Sequence, residues 1–166
     1  MPAVEVNPVK LPLRAAMEAR DLSAVVDAFA PDAVLHSPFT AKLTFTGRDE
    51  IGAVTKVILD VFDDLHYTEE LRGENAAVLV SRARVGGEEI EMVDHMRLGP
   101  DGKIQEFTVF FRPLPATTAA LRLIGAGLGR RKSPARAAII SALARPLAFM
   151  TRTGDGIGVR LVRSAL

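Results

Sequence analysis

Asp94 interrupts an apolar row. Ile90, Met92 and Met96 flank it at two-residue spacing, so a strand through this segment sets one carboxyl among apolar side chains on a single face. Loss of hydration disfavours the charged form and raises the pKa of such a group. A carboxylic acid tuned in this way serves near neutral pH as a hydrogen-bond donor or a general acid/base.

Other candidate groups are few. His36 and Ser37 are adjacent, so alternation turns one of them away from whatever the other faces. Tyr67 is the single tyrosine. There is no cysteine, which excludes thiol catalysis, a disulfide framework and cysteine-ligated zinc. The three histidines have no tight spacing, so neither a metal nor another cofactor is expected. Gly125-Ala126-Gly127-Leu128-Gly129 has spacing reminiscent of a dinucleotide-binding turn. It follows a helix rather than a strand, however, and reads as a loosened helix end.

The elements that must hold these groups follow from periodicity. Leu11, Leu13, Ala16 and Met17 open a helix that pauses at Asp21-Leu22-Ser23. Asp21 or Ser23 caps a second helix, apolar at Val25, Val26, Ala28 and Phe29 and stopped by Pro31. A short strand, Ala33 to His36, ends at Ser37-Pro38 and leads through a polar loop to Gly47-Arg48-Asp49-Glu50. There a third helix begins, with Ile51, Val54, Ile58, Val61 and Phe62 on one stripe. From Leu65 the period becomes two. Strands are expected at 65–72, 76–85, 88–98 and 103–112, joined by turns at 73–75, 86–87 and 99–102. The result is an α+β domain in which helices cover one face of an antiparallel meander.

Register separates the faces. A two-residue Gly86-Gly87 turn pairs Arg84 with Glu89, Arg82 with Glu91 and Leu79 with Asp94, and the two opposite-charge pairs support it. A four-residue turn at 99–102 pairs Asp94 with Phe107 and His95 with Glu106. One face then carries Leu79, Ser81, Ile90, Met92, Asp94 and Met96, together with Phe107, Val109 and Phe111. The other carries Arg82, Arg84, Glu89, Glu91, His95 and Glu106. Tyr67 and Glu69 join the Asp94 face if the loop after Arg72 has three residues.

The quoted motifs resemble a known family. Glu18-Ala19-Arg20-Asp21-Leu22, Asp27 to Val34, His36-Ser37-Pro38 and Gly47-Arg48-Asp49-Glu50-Ile51 occur in the order of the nuclear transport factor 2-like superfamily. Asp101-Gly102-Lys103-Ile104 and Phe110-Phe111-Arg112-Pro113 close the pattern, which covers about residues 10–113. The chain is most similar to the SnoaL-like branch, named for polyketide cyclases and related to ketosteroid isomerases. This implies a cone: a curved sheet wrapped around a pocket closed by the N-terminal helices, dimeric through the outer sheet face. Val93-Asp94-His95 looks like the isomerase segment that holds a protonated aspartate. The isomerase general base falls on Ser37 and the oxyanion-hole tyrosine near Leu13, so isomerisation by that route is not expected. An epoxide-hydrolase arrangement needs Arg82 or Arg84 in the pocket, hence a bulge at the Gly86 hairpin.

Charge divides the chain at Pro113. Residues 1–112 hold 12 basic and 19 acidic side chains, net −7, whereas residues 113–166 hold 9 basic ones and Asp155 alone, net +8. The tail reads as helices at 116–128 and 134–153, interrupted near Pro146. Leu121, Ile124, Leu128, Ile139, Ile140, Leu143 and Leu147 are expected to pack on the cone or on a dimer partner. An amphipathic contact with anionic lipid through Arg130, Arg131, Lys132 and Arg136 is the second reading. Nucleic acid is not expected, because no aromatic residues interleave the charges. The N-terminus has no basic start followed by an apolar run, so a cytoplasmic protein is expected. Two functions remain open. One is a cofactor-independent isomerase- or cyclase-type enzyme with Asp94, Ser37 and His36 as catalytic candidates, the other a non-catalytic binder of an apolar small molecule. In both, Tyr67, Leu79, Ser81, Ile90, Met92, Met96, Phe107, Val109 and Phe111 form the wall.

Overall fold

A computed structural model describes residues 11–164; the reading of residues 1–10 lies outside them. Helix α1 (Pro12–Glu18) begins with proline, whose missing N–H is no loss in a first turn. Helix α2 (Leu22–Asp27) is capped by Asp21, whose carboxylate accepts the Ala24 N–H at 3.0 Å. It stops earlier than the apolar pattern suggested, and Phe29 and Ala30 belong to strand β1 (Phe29–His36). Pro31 cannot donate to a helix ladder, and the Arg48 guanidinium holds the turn by donating to the Phe29 carbonyl at 2.7 and 2.8 Å.

The loop after β1 contains a short strand, β2 (Thr44–Thr46), which pairs Phe45 with Leu35. Helix α3 (Gly47–Val61) follows, with Asp49 and Glu50 in the first turn, where the helix dipole favours acids. Strands β3 (Phe62–Arg72), β4 (Ala76–Val85), β5 (Glu88–Leu98) and β6 (Ile104–Arg112) complete a sheet of order β2-β1-β6-β5-β4-β3. The sheet is mixed, because β1 lies parallel to β6. Helices α1 to α3 and helix α4 (Leu114–Arg130) pack on its inner face around a core that includes Phe29, Ile51, Phe62, Leu79 and Met96.

The first hairpin has the expected register, with Val85 opposite Glu88 and Leu79 opposite Asp94. Gly86 and Gly87 both have positive φ, +58° and +87°, as the tight turn requires. There is no bulge, and Arg82 and Arg84 stay exposed on the outer face. The epoxide-hydrolase arrangement therefore does not form. The second hairpin differs from expectation by two residues: Met96 pairs with Phe107, Asp94 with Val109, and His95 with Thr108 rather than Glu106. One residue comes from the turn, where Leu98 pairs with Ile104, and the second from an irregularity between Arg97 and Leu98. A shift of two preserves the faces, so Phe107, Val109 and Phe111 remain on the Asp94 side.

Beyond the sheet, helix α5 (Pro134–Ser164) runs past the expected end at Thr153 and continues through Pro146. Ala142 and Pro146 are both exposed, so water can satisfy the carbonyl that loses its partner. The glycines of α4 lie inside the helix and not at a loosened end. A Cβ on Gly125 would meet Ile140 of α5 at 2.9 Å, and one on Gly129 would meet Ala137 at 3.0 Å. On the other side, a Cβ on Gly127 would lie 2.4 Å from Val57 of α3. Bare backbone lets three helices approach one another.

Gly127→Ala would stabilise an open helix by about 1 kcal/mol. Here it should destabilise by about 1–3 kcal/mol, because the stiff, buried Val57 side chain cannot yield. Denaturant unfolding should show this loss in Gly127→Ala and its disappearance in the Val57→Ala background.

Candidate active-site cavity

Between the inner sheet face, α1, α3 and α4 lies a cavity of about 140 Å³. Among the described residues its wall is apolar except at Ser37, Thr55, Tyr67, Ser81 and Asp94, and Asp94 is the only carboxylate. Phe111 stacks edge-on with Phe39 at 5.6 Å between centroids, and Phe107 with Phe29 at 5.5 Å, which fixes the aromatic wall.

Three polar side chains converge from neighbouring strands. Tyr67 of β3 pairs with Ser81 of β4, and Ser81 pairs with Met92 of β5, two residues from Asp94. A bulge between Tyr67 and Glu69 is what places Tyr67 here. On the turn side of the bulge Arg72 pairs with Ala77, so the turn has four residues and not three, and Glu70 rather than Glu69 lies opposite Leu79. Glu70 accepts the Leu11 N–H at 3.0 Å and pairs with Arg14 at 3.5 Å and Arg72 at 2.6 Å. Arg14 in turn donates to the Tyr67 carbonyl at 3.3 Å and lies 5.9 Å from its ring centre. This network docks α1 against the strand that carries Tyr67.

Burial pushes the Asp94 carboxyl up to about 7. The Tyr67 phenol is raised well above its usual value, first by burial, then by the Asp94 charge and that of Glu18, with Arg14 opposing. Asp94 therefore exchanges its proton near neutrality while Tyr67 stays a donor. Ser81 Oγ is fully buried and has no hydrogen-bond partner among the described residues.

The expected wall residues Ser37, Tyr67, Ser81 and Met92 line the cavity with Asp94, as do Phe107, Val109 and Phe111. Leu79, Ile90 and Met96 are buried behind it in the core instead. His36 turns outward, where its Nε2 lies 3.0 Å from Glu106, so alternation gives the pocket to Ser37. The Ser37 hydroxyl oxygen accepts the Phe39 N–H at 3.2 Å. Thr55 was not anticipated, nor were Phe39, Leu43 and Phe45, although three large apolar residues in a supposedly polar loop were a visible signal. Leu121, Ile124 and Leu128 of α4 supply another wall.

The SnoaL-like domain profile matches residues 13–107. The chain belongs to the SnoaL-like family. Among solved structures, this SnoaL-like chain is similar to a steroid delta-isomerase from Pseudomonas aeruginosa, with 30% identity over 76% of this chain and 95% of that one and a TM-score of 0.62. It is similar also to a protein of cystatin-like fold from Silicibacter pomeroyi, at 25% identity over 76% and 86% of the two chains, TM-score 0.66. The epoxide hydrolase/cyclase-like enzyme SalBIII, of pyran ring formation in salinomycin, shares the fold at 18% identity over 59% and 83%, TM-score 0.51. No curated protein matches the chain.

A carboxyl whose pKa rises on folding, from 3.8 to about 7, makes the native state bind the proton more tightly than the unfolded chain. Its contribution is fully present below pH 3.8 and is lost as pH rises toward and through about 7. By linkage the loss reaches up to about 4 kcal/mol. Asp94→Asn should remove this slope and raise stability at and above neutral pH, read as the difference between the two proteins' denaturant midpoints across that range.

Proposed function

We propose that the cavity takes an apolar small molecule bearing a carbonyl group and that Asp94 acts on it as a buried acid/base, in an isomerase- or cyclase-type reaction. The observation that supports this is the single carboxyl, with its pKa near neutrality, in an otherwise uncharged apolar wall beside Tyr67. Ionised Asp94 removes a proton from the carbon next to the carbonyl. The electron pair moves onto the carbonyl oxygen, which accepts a hydrogen bond from the Tyr67 hydroxyl. The proton held by Asp94 then returns to another carbon of the same molecule; alternatively the enolate carbon attacks a second carbonyl carbon of that molecule to close a ring, and the oxygen of that carbonyl takes the proton from Asp94. Ser81 Oγ offers one further hydrogen bond to fix the ligand's orientation, and the aromatic wall folds the substrate.

One observation favours simple binding. Asp94 is the one carboxylate on the cavity among the described residues, and Ser37, where the resemblance to the isomerases implies a base, is a serine whose oxygen is engaged by Phe39. A hydrophobic metabolite or lipid held without turnover is therefore the second reading.

A panel of steroids, polyketide-like ketones and lipids separates the two. For a compound that binds, the catalytic reading expects wild-type turnover and a loss of roughly 10²- to 10⁴-fold in Asp94→Asn with binding retained. Equal turnover in Asp94→Asn contradicts it. Binding without turnover in the wild type would select the second reading.

A further inference from the structure

Helix α5 carries a face that no other described residue covers. Its packing side meets α4 through Ala137, Ile140 and Thr151, whose hydroxyl lies 2.7 Å from that of Thr118. Arg152 also pairs with Glu88 at the start of β5, at 3.0 Å. Another side presents Leu143, Leu147, Met150, Ile157 and Leu161, spaced by four, three, seven and four residues so that they form one stripe. All are exposed, from 47% for Leu147 to 77% for Leu143. Arg145, Arg152 and Arg163 lie about half a turn away and Arg160 about a quarter turn, and Asp155 is the helix's single acid.

We infer that α5 is an interfacial helix that lays this stripe on an anionic lipid surface. Charge selects that occupant. Pairing two copies through their stripes would bring two strongly basic helices together. The acidic body of a second copy attracts the charge but offers no matching apolar track. Its exposed large apolar side chains, Leu43, Leu71, Phe110 and Leu114, are scattered over the loop before β2, β3, β6 and the start of α4. An anionic bilayer satisfies both the stripe and the arginines, and it repels the acidic body, so that the α5 side approaches first. Among the described residues no helix is long and apolar enough to cross a membrane, so α5 lies on the surface. Because α4 walls the cavity with Leu121, Ile124 and Leu128 and carries α5 on its back, binding would hold the cavity close to the bilayer where apolar ligands partition.

Flotation of the full chain with phosphatidylcholine vesicles, and with an equimolar mixture of phosphatidylcholine and phosphatidylglycerol, tests this inference. The chain should float only with the mixture, and less as salt rises. The combined variant Leu143→Ser, Met150→Ser, Ile157→Ser changes exposed side chains only and should weaken binding by roughly tenfold or more. Arg145→Gln, Arg160→Gln, Arg163→Gln should weaken it by a similar factor while leaving the stripe intact. Failure to float, or equal flotation with both vesicles, overturns the inference. So does an oligomer in solution that the serine variant converts to monomers, since a second copy would then occupy the stripe.

Discussion

A carboxyl group confined among apolar side chains is the constraint on which the rest of the structure depends. Asp94 cannot reach water by moving its backbone, because β5 is paired along both edges, with Leu79 on one side and Val109 on the other. Its inward direction is fixed by the alternation that also buries Ile90, Met92 and Met96. To turn the carboxyl outward by a one-residue slip, the chain would have to expose that whole row. The fold keeps a group that opposes burial because the surrounding apolar set outweighs it, and the group's proton affinity records the opposition.

The helices complete this environment in different ways. α1 is drawn to β3 by the Glu70 network, which holds the strand that carries Tyr67 into the cavity wall shared with Asp94. α3 brings a stripe of apolar residues and one threonine. α4 gains its close approach from glycines, so a helix of modest propensity is set by contact with neighbours on two sides. It lies beyond the stretch that matches the SnoaL-like domain, yet it forms cavity wall.

Much of this architecture was legible in the sequence, and the exceptions share a cause. The Gly86-Gly87 turn fixed one register because its geometry is nearly unique, and it placed Leu79 opposite Asp94 correctly. The Gly99 to Gly102 turn with the strand end before it, and the turn after β3, add residues without a compositional mark. They moved pairings by two residues in one case and exchanged Glu69 for Glu70 in the other. The faces survived the first shift because it was even. The parallel pairing of β1 with β6 joins distant segments and leaves no local signal. Leu79, Ile90 and Met96 have the alternation of wall residues, but period two assigns a face and not a depth, so core and lining look alike. The glycines of α4 read as flexibility because a sequence does not display the neighbours that need the space.

Burial holds the proton on Asp94 up to near-neutral pH. Carboxyl carbon NMR of the wild-type protein, with the Asp94 signal identified by its absence in Asp94→Asn, measures this directly. The predicted result is one aspartate signal with its midpoint at about 7. A midpoint in the ordinary aspartate range of about 4 would contradict it, because the carboxyl would then be solvated and the cavity would hold no neutral acid.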